Sequence, residues 1–136
     1  MTYLAHIADD RREQTVAEHL QGTADLAARF AAAFGAEADG RFAGLLHDIG
    51  KYTPGFQKRL HGGPPVDHST AGAREAFSRY GNAPAALAIA GHHGGIPDAG
   101  NPHDPPDEPT LLGRVKRPCT PDPVWMQEIS VPVPAP

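Results

Sequence analysis

Phe42-Ala43-Gly44-Leu45-Leu46-His47-Asp48-Ile49-Gly50-Lys51 is the stretch on which the reading of this chain turns. Phe42, Leu45, Leu46 and Ile49 recur at the spacing of a helix with one buried face. Asp39 opens that predicted helix, and its apolar face continues to Gly50. His47 and Asp48 fall in the last turn. Neighbouring residues on a helix point about 100° apart, so the pair can share a ligand only over the helix end.

Working outward, the same period recurs on both sides. Thr15-Val16-Ala17-Glu18 has the capping-box pattern. Val16, Leu20, Ala24, Ala27, Phe30, Ala31 and Phe34 then trace an apolar stripe to a stop at Gly35, with His19 at its edge. Thr53-Pro54 reads as a cap followed by proline in the first helical turn, opening a short helix with Phe56 and Leu60 that ends at Gly62-Gly63. Asp67 or Ser69 caps a helix whose face carries Ala73, Ala76, Phe77 and Tyr80, with His68 at its start. Gly72 in it permits a close backbone approach. Asn82 and Pro84 open an alanine-rich helix that closes at His92-His93-Gly94-Gly95. Residues 1–14 form a polar lead-in, and no strand alternation is sustained before residue 123. The expected fold is all-α, a compact helical bundle with an irregular Pro-rich tail.

Eleven of the 15 prolines lie after residue 95. Residues 1–98 therefore read as the folded core, and 99–136 as a Pro-rich loop and tail, either the start of a longer domain or a docking segment. Thr110 to Arg117 predicts a short helix with a basic end. Val124 to Val131 reads either as an edge strand or as unpaired chain, and its apolar residues are expected to pack on something outside the body.

The chain has 136 residues, 40% of them apolar and 21% charged, which suits one globular domain. A formal charge of -4 argues against a protein that coats nucleic acid. It leaves a nucleic-acid substrate open, because bound metal cations reverse the local field. The single cysteine, Cys119, excludes an internal disulfide and a thiolate zinc cluster. No signal-like start and no run of 18 or more apolar residues is present, so the expected location is the cytoplasm, with no membrane partner.

Six side chains then stand out as metal ligands: His19, His47, Asp48, His68, His92 and His93. All but His19 fall at predicted helix ends. Taken singly, a helical histidine is more often a packing or surface residue. Two adjacent imidazoles before paired glycines, however, have no packing purpose. His61 and His103 lie outside the pattern, and His6 is left unassigned. Imidazole and carboxylate donors without thiolate suit iron, manganese, cobalt, nickel or zinc. Lys51, close after His47, can meet phosphate charge.

The order His19, His47-Asp48, Lys51 resembles the HD superfamily of metal-dependent phosphohydrolases. Longer strings are more specific: Gly44 to Lys51, Phe56-Gln57-Lys58-Arg59-Leu60, Asp67-His68-Ser69-Thr70-Ala71-Gly72-Ala73, and Ala90-Gly91-His92-His93-Gly94-Gly95-Ile96-Pro97-Asp98. Together they are similar to the HD nuclease domain of the CRISPR-associated helicase-nuclease of type I interference systems. That resemblance covers residues 1–98 and implies two divalent ions, with manganese, nickel, cobalt, iron, magnesium or zinc as candidates. One is held by His19, His47, Asp48 and a later aspartate, the other by the bridging Asp48 with His68, His92 and His93. Asp48 and Lys51 would be catalytic, and Lys58, Arg59, Ser69 and Thr70 are candidate substrate contacts. The implied substrate is single-stranded DNA, and the implied partners are a helicase module, fused or separate, and a guide-RNA surveillance complex.

The family's last aspartate lies on a later helix, whereas here Asp98, Asp104, Asp107 and Asp122 all sit in Pro-rich chain. The expectation is a C-terminally truncated or split domain whose second metal is better supplied than its first. Two other functions stay in view: a phosphohydrolase acting on a nucleotide or small phosphoester, and an inactive HD module with a binding role. Tyr52, Phe56 and Trp125 are candidates for base stacking. Arg114, Lys116 and Arg117 are further candidates for phosphate contact.

Overall fold

Thr15 is where the chain passes from strand to helix. The computed structural model describes residues 2–135. Strands β1 (Leu4–Ile7) and β2 (Glu13–Thr15) pair antiparallel, with Leu4 opposite Thr15 and Ile7 opposite Glu13. The Thr15 hydroxyl then accepts from the Glu18 amide at 3.1 Å, and the Glu18 carboxylate accepts from the Thr15 amide at 3.0 Å. This is the predicted capping box, and it opens α1 (Val16–Ala32). The all-α bundle expected from periodicity is present, with a hairpin at one edge formed by the polar lead-in, whose form the sequence left open. β1 spans only four residues, too few for alternation to show in sequence. Its outer edge is satisfied by a side chain: the Gln57 amide accepts from the Leu4 N–H at 3.0 Å and donates to the Leu4 carbonyl at 2.9 Å.

α1 packs against α2 (Glu37–Leu46) through Val16, Leu20, Ala24, Ala28 and Ala31. Phe30 and Phe34, expected on that face, are 70% and 77% exposed. The alanines allow the two helix backbones to approach closely, so the small-residue side turns inward. α2 buries Phe42, Leu45 and Leu46 as predicted but stops at Leu46, four residues before Gly50. His47 is its C-cap, Asp48 leaves helical geometry at φ -124° and ψ 27°, and a 3₁₀ turn covers Ile49–Lys51.

α3 (Pro54–Leu60) starts on the Thr53 cap, with Pro54 in its first turn. α4 (Thr70–Arg74) runs directly into a π-helical turn, Glu75–Arg79, and α5 (Ala83–Ala90) follows the Asn82 cap. Two glycines bring these pieces together. A Cβ on Gly72 would collide with the Leu46 carbonyl, and one on Gly50 with the His68 carbonyl. The segment carrying His47-Asp48 is thereby pressed against the one carrying His68.

The tail returns to the body. α6 (Leu111–Arg114) starts on Thr110, and α7 (Trp125–Glu128) takes the place of the strand or loose chain expected there. Leu111, Trp125 and Ile129 are 2–3% exposed and belong to the same core as Leu20, Leu46 and Ile89. Polar contacts fix the seam. Tyr3 Oη donates to Asp122 at 2.6 Å, Tyr52 Oη donates to Glu128 at 2.7 Å, and the Asp122 amide donates to the Tyr52 carbonyl at 2.7 Å. The apolar residues of 124–131 thus find their partner within the chain. Among the described residues, no helix is long and apolar enough to cross a membrane.

Candidate metal centre

The break after Leu46 solves the geometric problem of an adjacent ligand pair. His47 keeps helical angles while Asp48 does not, and the two side chains converge, with His47 Nε2 3.1 Å from Asp48 Oδ2. The Asp48 carboxylate is buried, and its two oxygens face different neighbours. Oδ2 lies 2.8 Å from His19 Nε2, in the first turn of α1, and 3.4 Å from Lys51 Nζ. Oδ1 lies 3.0 Å from His92 Nε2 and 3.9 Å from His68 Nε2. His68 Nε2 in turn faces His93 Nε2 at 2.8 Å. Two sets of donor atoms come within 4.8 Å of one another: His19, His47 and Asp48, and Asp48, His92 and His93.

Backbone carbonyls set the protons of the rings. His47 Nδ1 is 2.7 Å from the Gly44 carbonyl and His92 Nδ1 is 2.6 Å from that of Ile89. A carbonyl only accepts, so each Nδ1 must donate, and in the neutral ring Nε2 carries a lone pair. Those lone pairs are aimed at carboxylate oxygens about 3 Å away. Electron pairs facing each other at that range repel unless a cation resolves them, either a proton on the ring or a metal ion among the donors. The donor set therefore fits a divalent metal.

Where a proton is that cation, the rings become donors to the carboxylate. Burial alone would raise the Asp48 carboxyl, but hydrogen bonding to His19, His47 and His92 and the nearby His47 charge hold it far below the usual range. It is a carboxylate at any ordinary pH. Burial pulls the His92 imidazole down, and its contacts with Asp48 and the Ile89 carbonyl more than offset that, leaving it raised. His68 and His93 are lowered, first by burial; the Asp48 charge opposes this, and neighbouring histidines and Lys51 add to the lowering. Both are thus favoured in the neutral, ligating form.

All six predicted ligands are brought together, and Lys51 joins them. It also lies 3.4 Å from the Ala5 carbonyl and 5.0 Å from the Phe56 ring centroid. Other candidates are placed differently. Thr70 is fully buried; its hydroxyl donates to Asp67 at 2.6 Å and accepts from Arg114 at 3.0 Å, which anchors the segment after His68. Ser69 is 7% exposed and its hydroxyl is likewise held by Arg114 at 3.0 Å. Lys58 and Arg59 are exposed on α3. Tyr52 and Trp125 are core residues, which removes them as stacking platforms, while Phe56 is 5% exposed.

The basic tail residues tie the tail down. Arg114 also donates to the Ala90 carbonyl at 2.8 Å, Arg117 reaches Asp67 at 3.1 Å, and Lys116 reaches the carbonyls of Pro102 and Asp104. Arg114 thereby links the segment after His68 to the one before His92, a role that sequence spacing does not signal. Gln57, which holds β1, was equally silent. His61 and His103 stay outside both donor sets, and His6 lies on β1. Among the described residues no later aspartate joins either set: Asp104 accepts from Thr110 at 2.7 Å, and Asp122 from Tyr3.

Residues 16–122 match the HD domain family model. No curated protein is significantly similar to the chain. The matched span runs from the first residue of α1 past α6 and includes every side chain of the histidine ring around Asp48. With that span and that ring, the chain belongs to the HD-domain family, which implies a metal-dependent phosphohydrolase.

Proposed function

We propose that the chain is a phosphodiesterase that binds two divalent ions across Asp48 and cuts single-stranded DNA. The observation that carries this reading is the division of one buried carboxylate between two donor sets, Oδ2 toward His19 and His47 and Oδ1 toward His92 and the His68–His93 pair. Bound divalent ions lower the pKa of coordinated water and offset charge on a phosphoryl group. The chain's own residues do the rest. Asp48, His19, His47, His68, His92 and His93 supply neutral or anionic donors in a fixed arrangement. Lys51 holds its ammonium beside the same carboxylate, where it meets the negative charge of the phosphate.

The nuclease assignment, and with it a place in type I CRISPR defence beside a helicase module and a guide-RNA complex, is supported by the motif strings around His47-Asp48, Asp67-His68 and His92-His93. The test is cleavage of single-stranded DNA in manganese or nickel by the wild-type chain and by Asp48→Ala. Cleavage is expected to fall by roughly a thousandfold or more in the variant, the several kcal/mol a metal centre supplies. Undiminished cleavage by Asp48→Ala would refute the reading. A chain that hydrolyses mononucleotides and ignores polymers would instead be a small-phosphoester hydrolase.

One observation favours a second reading, a non-catalytic HD module. The set at His19, His47 and Asp48 has three donors, and no later aspartate among the described residues completes it. A chain that takes up metal at one site only and cleaves nothing would fit that reading.

A further inference from the structure

A trough of about 520 Å³ opens from the histidine ring and shares His68 and His93 with it. β1 forms one wall with Ala5 and His6, and α3 forms the other with Arg59 and Leu60. Pro65 and Val66 continue the apolar side, and Lys51, His68 and His93 close the inner end. Resting on the phosphodiesterase reading above, we propose that this trough binds the nucleotide flanking the scissile phosphate of single-stranded DNA. Arg59 and His6 take the next phosphate along the strand, and Leu60, Pro65 and Val66 take the base.

Charge selects an anionic ligand. The chain has 16 acidic residues and a net charge of -4, yet no carboxylate lines this trough. Four other clefts each contain at least one: Asp98 beside Arg114, Asp67 and Asp107 beside Arg117, Asp9 and Asp10 beside Arg12, and Glu37 beside Arg41. In two of those the cation is paired inside the cleft, Arg117 with Asp67 at 3.1 Å and Arg12 with Asp10 at 2.7 Å. In this trough Lys51 turns inward to Asp48 at 3.4 Å, and among the described residues no carboxylate pairs with Arg59, whose charge is left to a ligand. Shape selects more than a free phosphate. A volume of 520 Å³ lies in the range of small-ligand sites, and apolar side chains next to a charged one suit a base joined to a phosphate.

The trough is also held ready. Gln57 clamps β1 to α3 through both polar groups of Leu4. Phe56 forms a fixed floor, with Lys51 Nζ over its ring and the His68 ring 5.0 Å away edge-on. Arg59 Nη1 donates to the Gly63 carbonyl at 3.2 Å, which keeps the guanidinium at the rim. Its inner end opens on Lys51, which is 3.4 Å from Asp48, so a strand lying in the trough leads straight to the donor sets.

The experiment is a fluorescence-anisotropy titration of a labelled oligo(dT) with the full chain in EDTA, repeated over a range of salt. Arg59→Glu is expected to weaken binding roughly tenfold and to reduce the salt slope by about one. Arg29→Glu changes net charge equally on the exposed face of α1 and is expected to leave binding as it is. The proposal is overturned if the wild type does not bind the oligonucleotide, if Arg59→Glu binds as well as wild type, or if Arg29→Glu weakens binding equally. The two readings fail separately. Binding through Arg59 without cleavage in manganese would refute the nuclease and leave the trough standing. Cleavage whose KM is unchanged in Arg59→Glu would do the reverse.

Discussion

At Asp48 the chain gathers rings that have already committed one nitrogen elsewhere. Because the Gly44 and Ile89 carbonyls fix Nδ1–H on His47 and His92, their Nε2 atoms have no use except toward the carboxylate or a cation beside it. This makes the tautomer itself a prediction. Long-range ¹H–¹⁵N NMR on the metal-loaded chain should show Nδ1–H on both rings, with Nε2 shifted by coordination. Nε2–H on either ring would contradict the arrangement. The ligand types were legible in sequence because imidazoles and carboxylate at helix ends have few other uses. The partners of Ser69 and Thr70 were not legible, for a long-range reason. Their hydroxyls are claimed by Asp67 nearby and by Arg114, 44 residues beyond Thr70, and local sequence cannot announce that second partner.

Among the elements, it is the ends that position chemistry. Caps at Thr15, Thr53 and Asn82 were readable because each is a local side-chain-to-backbone bond within three residues. The stop of α2 at Leu46 was not, since the apolar period runs on through Ile49 and only contact between Gly50 and the His68 backbone requires the turn. The hairpin was hidden for a similar reason: Gln57 and the Asp122 contact hold it from outside. The link from Tyr3 to Asp122 carries a pH signature. The Tyr3 hydroxyl and then the Val124 amide hold the Asp122 carboxyl below its usual value, against a smaller opposing effect of burial. A carboxyl lowered by folding stabilises the fold above its unfolded value, about pH 4, and that contribution is lost as pH falls through the folded value. Tyr3→Phe is therefore expected to lower the melting temperature by a few degrees at pH 7. The gap to wild type should close on acidification below about pH 4. Thermal melts across that range test this, and a gap that widened in acid would count against the contact.

For the whole molecule, the tail is the main addition that the structure makes to the sequence. Eleven late prolines marked it as irregular, which it largely is, with two short helices between its loops. Irregular backbone was not loose packing, because Leu111, Trp125 and Ile129 complete the core and Arg114 braces the two histidine-bearing segments. Hydrophobic periodicity reports faces of regular helices and has no purchase on anchors scattered through a proline-rich chain. The chain as a whole thus presents a histidine ring at the meeting of helix ends. The measurement that bears most directly on the account is the metal content of the purified, dialysed chain and of Asp48→Ala by elemental analysis after loading with manganese or nickel. The account predicts at least one tightly held transition metal per wild-type chain, and loss of that metal in the variant. A wild type that retains none, or a variant that retains as much, would contradict it.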